Sequence, residues 1–508
     1  MSITQIHPAY AEYLERWSLL RDCYSGEDAI KEAGITYLPP TPGQVLDGMG
    51  AVGANAGEAA YQAYKARAVF PDFFSVGIET LIGILNAKET KIELPAELDY
   101  LRNKAMLNGE KLSSVIRKIH EQQLIIGRVG LLADLPAVVS TNPEQYIELY
   151  NAEKILNWDD GAFNDGFFKL NLVVLDESGY ERHDKFNWKK VNRYRVLTLG
   201  GIAENEALGS YQCGTTTVNG DLDTVTLSTP VIRGEPLQEI PFIFVGAKDL
   251  SSAPDKPPLL GLAQLCMQIY RAEADYRYTL FMQGQDTLVV VGGIRQSLSE
   301  LPNMASATNA LRVGAGARID VEIGGDAKYV GIGATGLPEQ RTALENDRNQ
   351  AAVRTGQLLA PGKMSMESGE ALKTRVAAQT ATLTSVAIAA AAGLEQLLRI
   401  MAAWQGADPD EVKVIPNLDF TNVAIAGQDL VQLLTAKNLG MPMSYATIHA
   451  IMVDRGLTKN TFEQEMALIE KDPKRLTEIA AMLAAPPQAN NPTLSGGGPS
   501  KKPGDAPG

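Results

Sequence analysis

Little in this sequence offers ready-made chemistry. Its 508 residues include only three cysteines, Cys23, Cys213 and Cys266, with no C-x-x-C pair. That spacing signals neither a zinc site nor a disulfide framework, and it suits a reducing compartment. Histidine is equally scarce: His7, His120, His183 and His449 have no metal-ligand neighbour at useful spacing. A G-x-S-x-G nucleophile turn is absent. Cations are the minority charge, 46 Lys and Arg against 60 Asp and Glu, giving a net charge of −14. This balance argues against a protein that grips phosphates through a basic surface. It leaves room for a surface that lets a polyanion pass. The opening residues, MSITQIHPAYAEYLERW, are polar, so no secretory signal is expected.

Long apolar runs are also missing, with one near-exception. Val376 to Leu394 is uncharged and close to membrane-spanning length. It carries Gln379, Thr380, Thr382, Thr384 and Ser385, and much of the rest is alanine, so it is a weak inserter and no membrane partner is expected. Two phosphate-loop look-alikes also fail. Gly48-Met-Gly50-Ala-Val-Gly53 follows PPTPGQVLD rather than a buried strand, which a dinucleotide fingerprint requires. Gly356 to Met364 is one residue too long for a nucleotide P-loop and puts Met364 where a magnesium-binding hydroxyl belongs. No catalytic constellation and no cofactor site emerges, so no enzyme is expected.

What the chain does have is one dominant helical stretch, Ser368 to Trp404. Leu383, Val386, Ala390, Leu394, Leu397, Met401 and Trp404 recur at steps of three and four, which predicts one buried face. Ser368 suits the N-cap, Glu370 the first turn, and Gly406 and Pro409 the end. The N-terminal half is rich in Ala, Thr and Ser, so other backbones can approach it closely.

In chain order, helices are predicted within residues 1–35, at Tyr61–Gly83 and at Leu98–Gln123, around a Pro/Gly-rich stretch from Tyr37 to Gly57. Leu124–Asp134 reads as a strand. Tyr146 to Phe244 is strand-rich, with runs LNLVVLDES, YRVLTLGG, TVTLSTPVI and IPFIFVGA. SSAPDKPP links to a helix at Leu259–Gln283. Short strands follow at Thr287–Val291, Leu311–Val313, Arg318–Ile323 and Tyr329–Ile332. A charge-rich helix, Pro338 to about Leu359, should be solvated or face other subunits. After Trp404 come a strand at Val412–Ile415 and helices at Asp429–Lys437, Tyr445–Asp454 and Phe462–Leu483. From Pro486 the composition cannot bury a core and predicts disorder.

This order of elements, with dispersed local motifs, resembles the portal proteins of tailed bacteriophages. The branch it resembles is known only as a phage-head domain of unknown function. The matching residues are Trp17-x-x-x-Arg21-Asp22-x-x-x-Gly26, Tyr37-Leu38-Pro39, Tyr64-x-x-Arg67-Ala68-x-Phe70, Gly127-Arg128-Val129-Gly130-Leu131-Leu132-x-Asp134-x-Pro136, Ile155-x-Asn157-Trp158 and Ser368-Gly369-x-Ala371.

The resemblance implies an α+β portal fold. It would have a mixed α/β wing (1–254), stem helices (255–285 and 337–359) and a small β clip (286–336). A tunnel loop and long tunnel helix (360–404) would follow. The chain would then return to the wing (405–450), form a helical crown (451–485) and end in a disordered tail (486–508). It further implies a homo-oligomeric ring, usually a dodecamer, made in the host cytoplasm and placed at the virion's portal vertex. Double-stranded DNA would be packaged and ejected through it. Expected partners are the terminase large subunit, head–tail adaptor proteins and the major capsid or scaffold protein. Lys363, Met364 and Ser365 in the loop Ala360–Glu367 are the positional candidates for DNA contact. Two alternatives remain open, another phage head structural protein and a soluble α/β enzyme without a recognisable motif.

Overall fold

The computed structural model describes residues 3–53, 55–136, 144–161, 169–200, 209–217, 225–283, 287–293, 321–330, 336–357, 369–418 and 420, and beyond these 435, 437, 441, 444–454, 458 and 460–470. The chain divides into two compact units, Met1–Phe420 and Thr421–Gly508. The described part of the second unit holds helices Tyr445–Asp454 and Phe462–Glu470. The first of these matches its expected span. Expected structure at 429–434, 471–483 and the tail from 486 lies outside the described residues.

The first unit begins with α1 (Pro8–Ser25), whose N-cap His7 accepts Ala9 N–H on Nδ1 at 3.1 Å. Trp17 and Leu20 are fully buried on its inner face. α2 (Glu27–Glu32) and α3 (Pro42–Leu46) are short, and the Gly48–Gly53 loop therefore follows a helix rather than a strand.

Three expectations in this region change. Tyr61–Gly83 is two helices, α4 (Ala56–Arg67) and α5 (Phe73–Leu85), because Pro71 lacks an N–H and pushes the residue before it out of helical space. Leu98–Gln123 is a 3-10 turn, Ala96–Arg102, followed by a loop through Asn108-Gly109. β1 (Lys91–Glu93) precedes that turn, and α6 (Leu112–Ile125) follows the loop. Leu124–Asp134 is not one strand. α6 runs on to Ile125, Gly127 turns the chain at φ +89°, and only then does β2 (Arg128–Asp134) begin.

The strands that follow are β3 (Tyr146–Asn151), β4 (Ile155–Asp159), β5 (Leu172–Asp176), β6 (Gly179–Arg182), β7 (Trp188–Val191), β8 (Tyr194–Leu199), β9 (Tyr211–Thr216), β10 (Val231–Ile232), β11 (Glu235–Pro236) and β12 (Phe242–Gly246). Among the described residues, all strand pairings are antiparallel. β2 lies between β12 and β3, and the order β4-β5-β8-β9 forms a second sheet. Among its described residues, the run TVTLSTPVI contributes β10 and a bridge between Cys213 and Ser228. Arg195 of β8 ties the two sheets together. It pairs with Asp134 of β2 at 2.7 Å, and Tyr146 donates to the same carboxylate at 2.7 Å. Being nearly buried, this network draws strength from the low local dielectric.

Then come α7 (Leu260–Gln283), β13 (Thr287–Gly293), β14 (Val321–Val330), α8 (Leu337–Gln357), α9 (Gly369–Gln405) and β15 (Lys413–Ile415). The two strands expected at Arg318–Ile323 and Tyr329–Ile332 fall on one strand, β14, which pairs with β13 over Asp326–Val330 and, after a break in register, at Val321. The strand expected at Leu311–Val313 lies outside the described residues. β15 pairs with β1, a partner that three residues of sequence could not announce. The fold is α+β, with helices on antiparallel sheets and a continuous apolar core.

Candidate functional site

The segment with the most distinctive geometry runs from α7 to α9. α7 and α8 are an antiparallel pair. Arg354 of α8 donates to the Gly261 carbonyl at 3.2 Å, and Gln268 donates to Asp347 at 2.9 Å. Leu344, Arg348, Ala351 and Thr355 form one stripe on α8 at helical steps. Leu344, Ala351 and Thr355 are buried, so one face of this charge-rich helix packs within the fold. Its other faces are exposed, with Arg341 and Glu345 paired along the helix.

Between the helices sits a buried carboxylate. Glu273 of α7 is 2% exposed. Arg348 donates to its Oε2 at 2.9 Å, and Arg277, one turn further along α7, donates to Oε1. Two guanidinium partners offset the cost of taking this charge out of water. Sequence reasoning missed the triad. Its only local trace is Glu273-x-x-x-Arg277 at i,i+4 spacing.

α7 is anchored to the first helices as well. Tyr64 donates to Asp275 at 2.5 Å, Arg271 donates to the Tyr37 carbonyl at 2.8 Å, and Arg67 stacks over Phe281 at 3.6 Å. Because the pair is antiparallel, the end of α7 and the start of α8 lie at the same end. The β13–β14 ribbon is inserted there.

α9 has 37 residues and so is about 55 Å long. All seven residues of its predicted stripe, Leu383 through Trp404, are buried. The helix packs on β12, α6, β2 and β15. Gly393 marks the closest approach, since a Cβ there would lie 2.4 Å from Val245 Cγ2. Gln123 donates to the carbonyls of Gly246 (2.6 Å) and Val386 (3.3 Å), and Gln145 donates to that of Met401 at 3.0 Å. These side-chain amides tie the C-terminal half of the helix to the fold at Val386 and Met401. Gly406, at φ +73°, ends it as expected. Thr380–Gln405 is long and apolar enough to cross a membrane by length and composition, and 67% of its most apolar 18-residue stretch is buried in the fold.

The outer side of α9 lines a groove of about 590 Å³ with Leu250, Ile388, Glu395, Arg399 and Leu418. Lys363, Met364 and Ser365 lie outside the described residues. Among the described residues, no group of three or more His, Cys, Asp or Glu is placed to hold a metal ion.

The geometry thus defines an antiparallel helix pair with an inserted β ribbon, followed by a long anchored helix. A family model described as "Domain of unknown function (DUF4055)" matches residues 258–405, the same block. No curated protein matches the sequence. Among solved structures, the chain is similar to one from the virion of a native gene transfer agent particle (12% identity, TM-score 0.40, covering 82% of this chain and 98% of that one). It is also similar to chains from the neck of the native particle computed with C12 symmetry (13% identity, TM-score 0.34, 75% and 89% covered) and from the neck of the empty particle computed with C6 symmetry (13%, TM-score 0.37, 82% and 98%).

Proposed function

We propose that this chain is a portal subunit of a phage-like particle, one copy in a ring through which double-stranded DNA enters and leaves the capsid. One observation carries the reading. Residues 258–405 run, in order, through two antiparallel helices bracketing a β ribbon and then a 37-residue helix anchored by its C-terminal half.

In this reading α7 and α8 are the stem and β13–β14 belongs to the clip. The clip meets the terminase large subunit and the head–tail adaptors. Leu394, Leu397, Met401 and Trp404 hold α9 in its subunit, and the loop before it, with Lys363, Met364 and Ser365, reaches the DNA. The sheets and helices before α7 form the wing, which faces the capsid or scaffold. The chain carries out no reaction, and a separate ATPase supplies the work. An acidic chain suits this role, because phosphate held weakly can keep moving.

The test is a packaging assay on particles in which residues 286–336 are replaced by a short Gly/Ser linker. The insertion starts and ends at one end of the helix pair, so the rest should fold without it. Terminase and adaptor binding should be lost while the melting of the remaining fold is retained. Normal binding would refute the clip assignment.

A further inference from the structure

The arm formed by β6 and β7 leaves three aromatic side chains in solvent. Tyr180 is 71% exposed, Phe186 82% and Trp188 63%. The register opposes Tyr180 to Lys190 and Arg182 to Trp188. Opposed residues share a face, as do residues two apart along a strand. One face of the ribbon therefore carries Tyr180, Arg182, Trp188 and Lys190, with the Arg182 guanidinium 6.0 Å from the Trp188 ring. Glu181 lies on the other face, paired with Arg193.

The tip is held in shape. The Asp184 carboxylate accepts the backbone N–H groups of Phe186 and Asn187, both at 2.9 Å, and the Asn187 side-chain amide at 2.8 Å. His183 N–H closes the loop on the Asn187 carbonyl at 2.9 Å.

A two-stranded ribbon gains little by itself in water, and large aromatic groups left in solvent forgo their burial energy. Trp, Tyr and Arg are the residue types that anchor interfaces. A tip already fixed by hydrogen bonds loses less entropy when it docks. Charge selects the partner. Residues 179–193 hold five cations and two acids, within a chain whose net charge is −14. A second copy of the chain is a partner of net opposite charge.

We infer that the β6–β7 arm docks on an acidic face of a neighbouring copy of the chain and forms part of the contact between subunits. This inference rests on the ring reading, and its test separates the two. Sedimentation velocity of the full chain is measured over a concentration series at low and high salt. Wild type is compared with Tyr180→Ala/Trp188→Ala and with Arg182→Glu/Lys190→Glu. Both doubles should melt like wild type and need at least tenfold more protein to assemble. The charge double should also lose the salt dependence that wild type shows.

Assembly of both doubles at the wild-type concentration would overturn the arm's role and leave the ring intact. A wild type that stays monomeric would overturn the ring and the arm together. Variants that assemble normally but lose retention on immobilised double-stranded DNA would assign the arm to nucleic acid and refute docking. Should the aromatic double misfold, the charge double, which removes no large apolar group, decides the matter.

Discussion

Gly393→Ala tests how tightly α9 is seated. In an isolated helix this change is favourable by about 1 kcal/mol, since glycine loses more backbone entropy. Here the added methyl would lie 2.4 Å from Val245 Cγ2 and 3.1 Å from Leu250 Cδ2. Carbon atoms in contact prefer about 3.5–4.0 Å, so the overlap with Val245 exceeds 1 Å. Val245 is fully buried on β12 and cannot swing away. Overpacking of this kind costs about 1–3 kcal/mol, which outweighs the propensity gain. The control is Gly83→Ala in α5, where nothing lies within 4 Å of the new methyl. That change should stabilise by about 0.5–1 kcal/mol. The two substitutions are chemically identical and should shift the melting temperature in opposite directions. A Gly393→Ala protein that melts at or above wild type would refute the close α9–β12 contact.

Other outcomes follow from the same structure. Leu397→Ala removes a fully buried anchor of α9 and should cost about 2–5 kcal/mol in thermal or denaturant unfolding. Lys363→Ala should leave melting and assembly unchanged while altering DNA packaging or its salt dependence. Arg128 is 1% exposed, lies between Trp158 (4.3 Å) and Phe244 (4.1 Å), and among the described residues has no hydrogen-bond partner on any guanidinium nitrogen. Burial lowers its pKa to about 9, against the opposing pull of Asp255 and Asp160. Arg128→Met should therefore melt at or above wild type, and a clear loss of stability would show that the charge is compensated. His120 is buried, and burial lowers its pKa from 6.5 to about 4. Its folded pKa lies below its unfolded one, so its contribution is fully present above pH 6.5 and is lost as pH falls toward 4. The loss is about 3 kcal/mol. The stability of His120→Gln should fall less than that of wild type across this window in denaturant titrations at stepped pH.

The long helix was the most legible element because its anchors are large, regular and on one stripe. A local period suffices to find such a face. The residues that carried the family resemblance have structural roles of a different kind. Trp17 is core, Arg21 forms two hydrogen bonds to Glu153 at 2.9 and 3.1 Å, and Asp22 accepts the Tyr37 hydroxyl at 2.6 Å. Asp134 meets Arg195, and Trp158 stacks on His7 with ring centres 4.0 Å apart. These motifs report packing, so they speak to fold and say little about a site. What stayed hidden depends on distant pairing. Glu273 meets Arg348 across two helices, and β1 meets β15 from far along the chain. Pro71 and Gly127, by contrast, are local breaks in runs that hydrophobicity alone would have continued. The exposed arm of β6 and β7 escaped notice because its sequence, YERHDKFNWKK, has a turn signal but no buried face to give it a period.

The central claim is a closed ring, and the mass of the native particle tests it most directly. Each chain is 54.7 kDa. Native mass spectrometry or sedimentation of the purified full chain, checked by negative-stain images, should give one discrete closed ring. For twelve copies its mass would be about 650 kDa. A monomer or dimer at all concentrations, or an open aggregate without a central channel, would contradict the account.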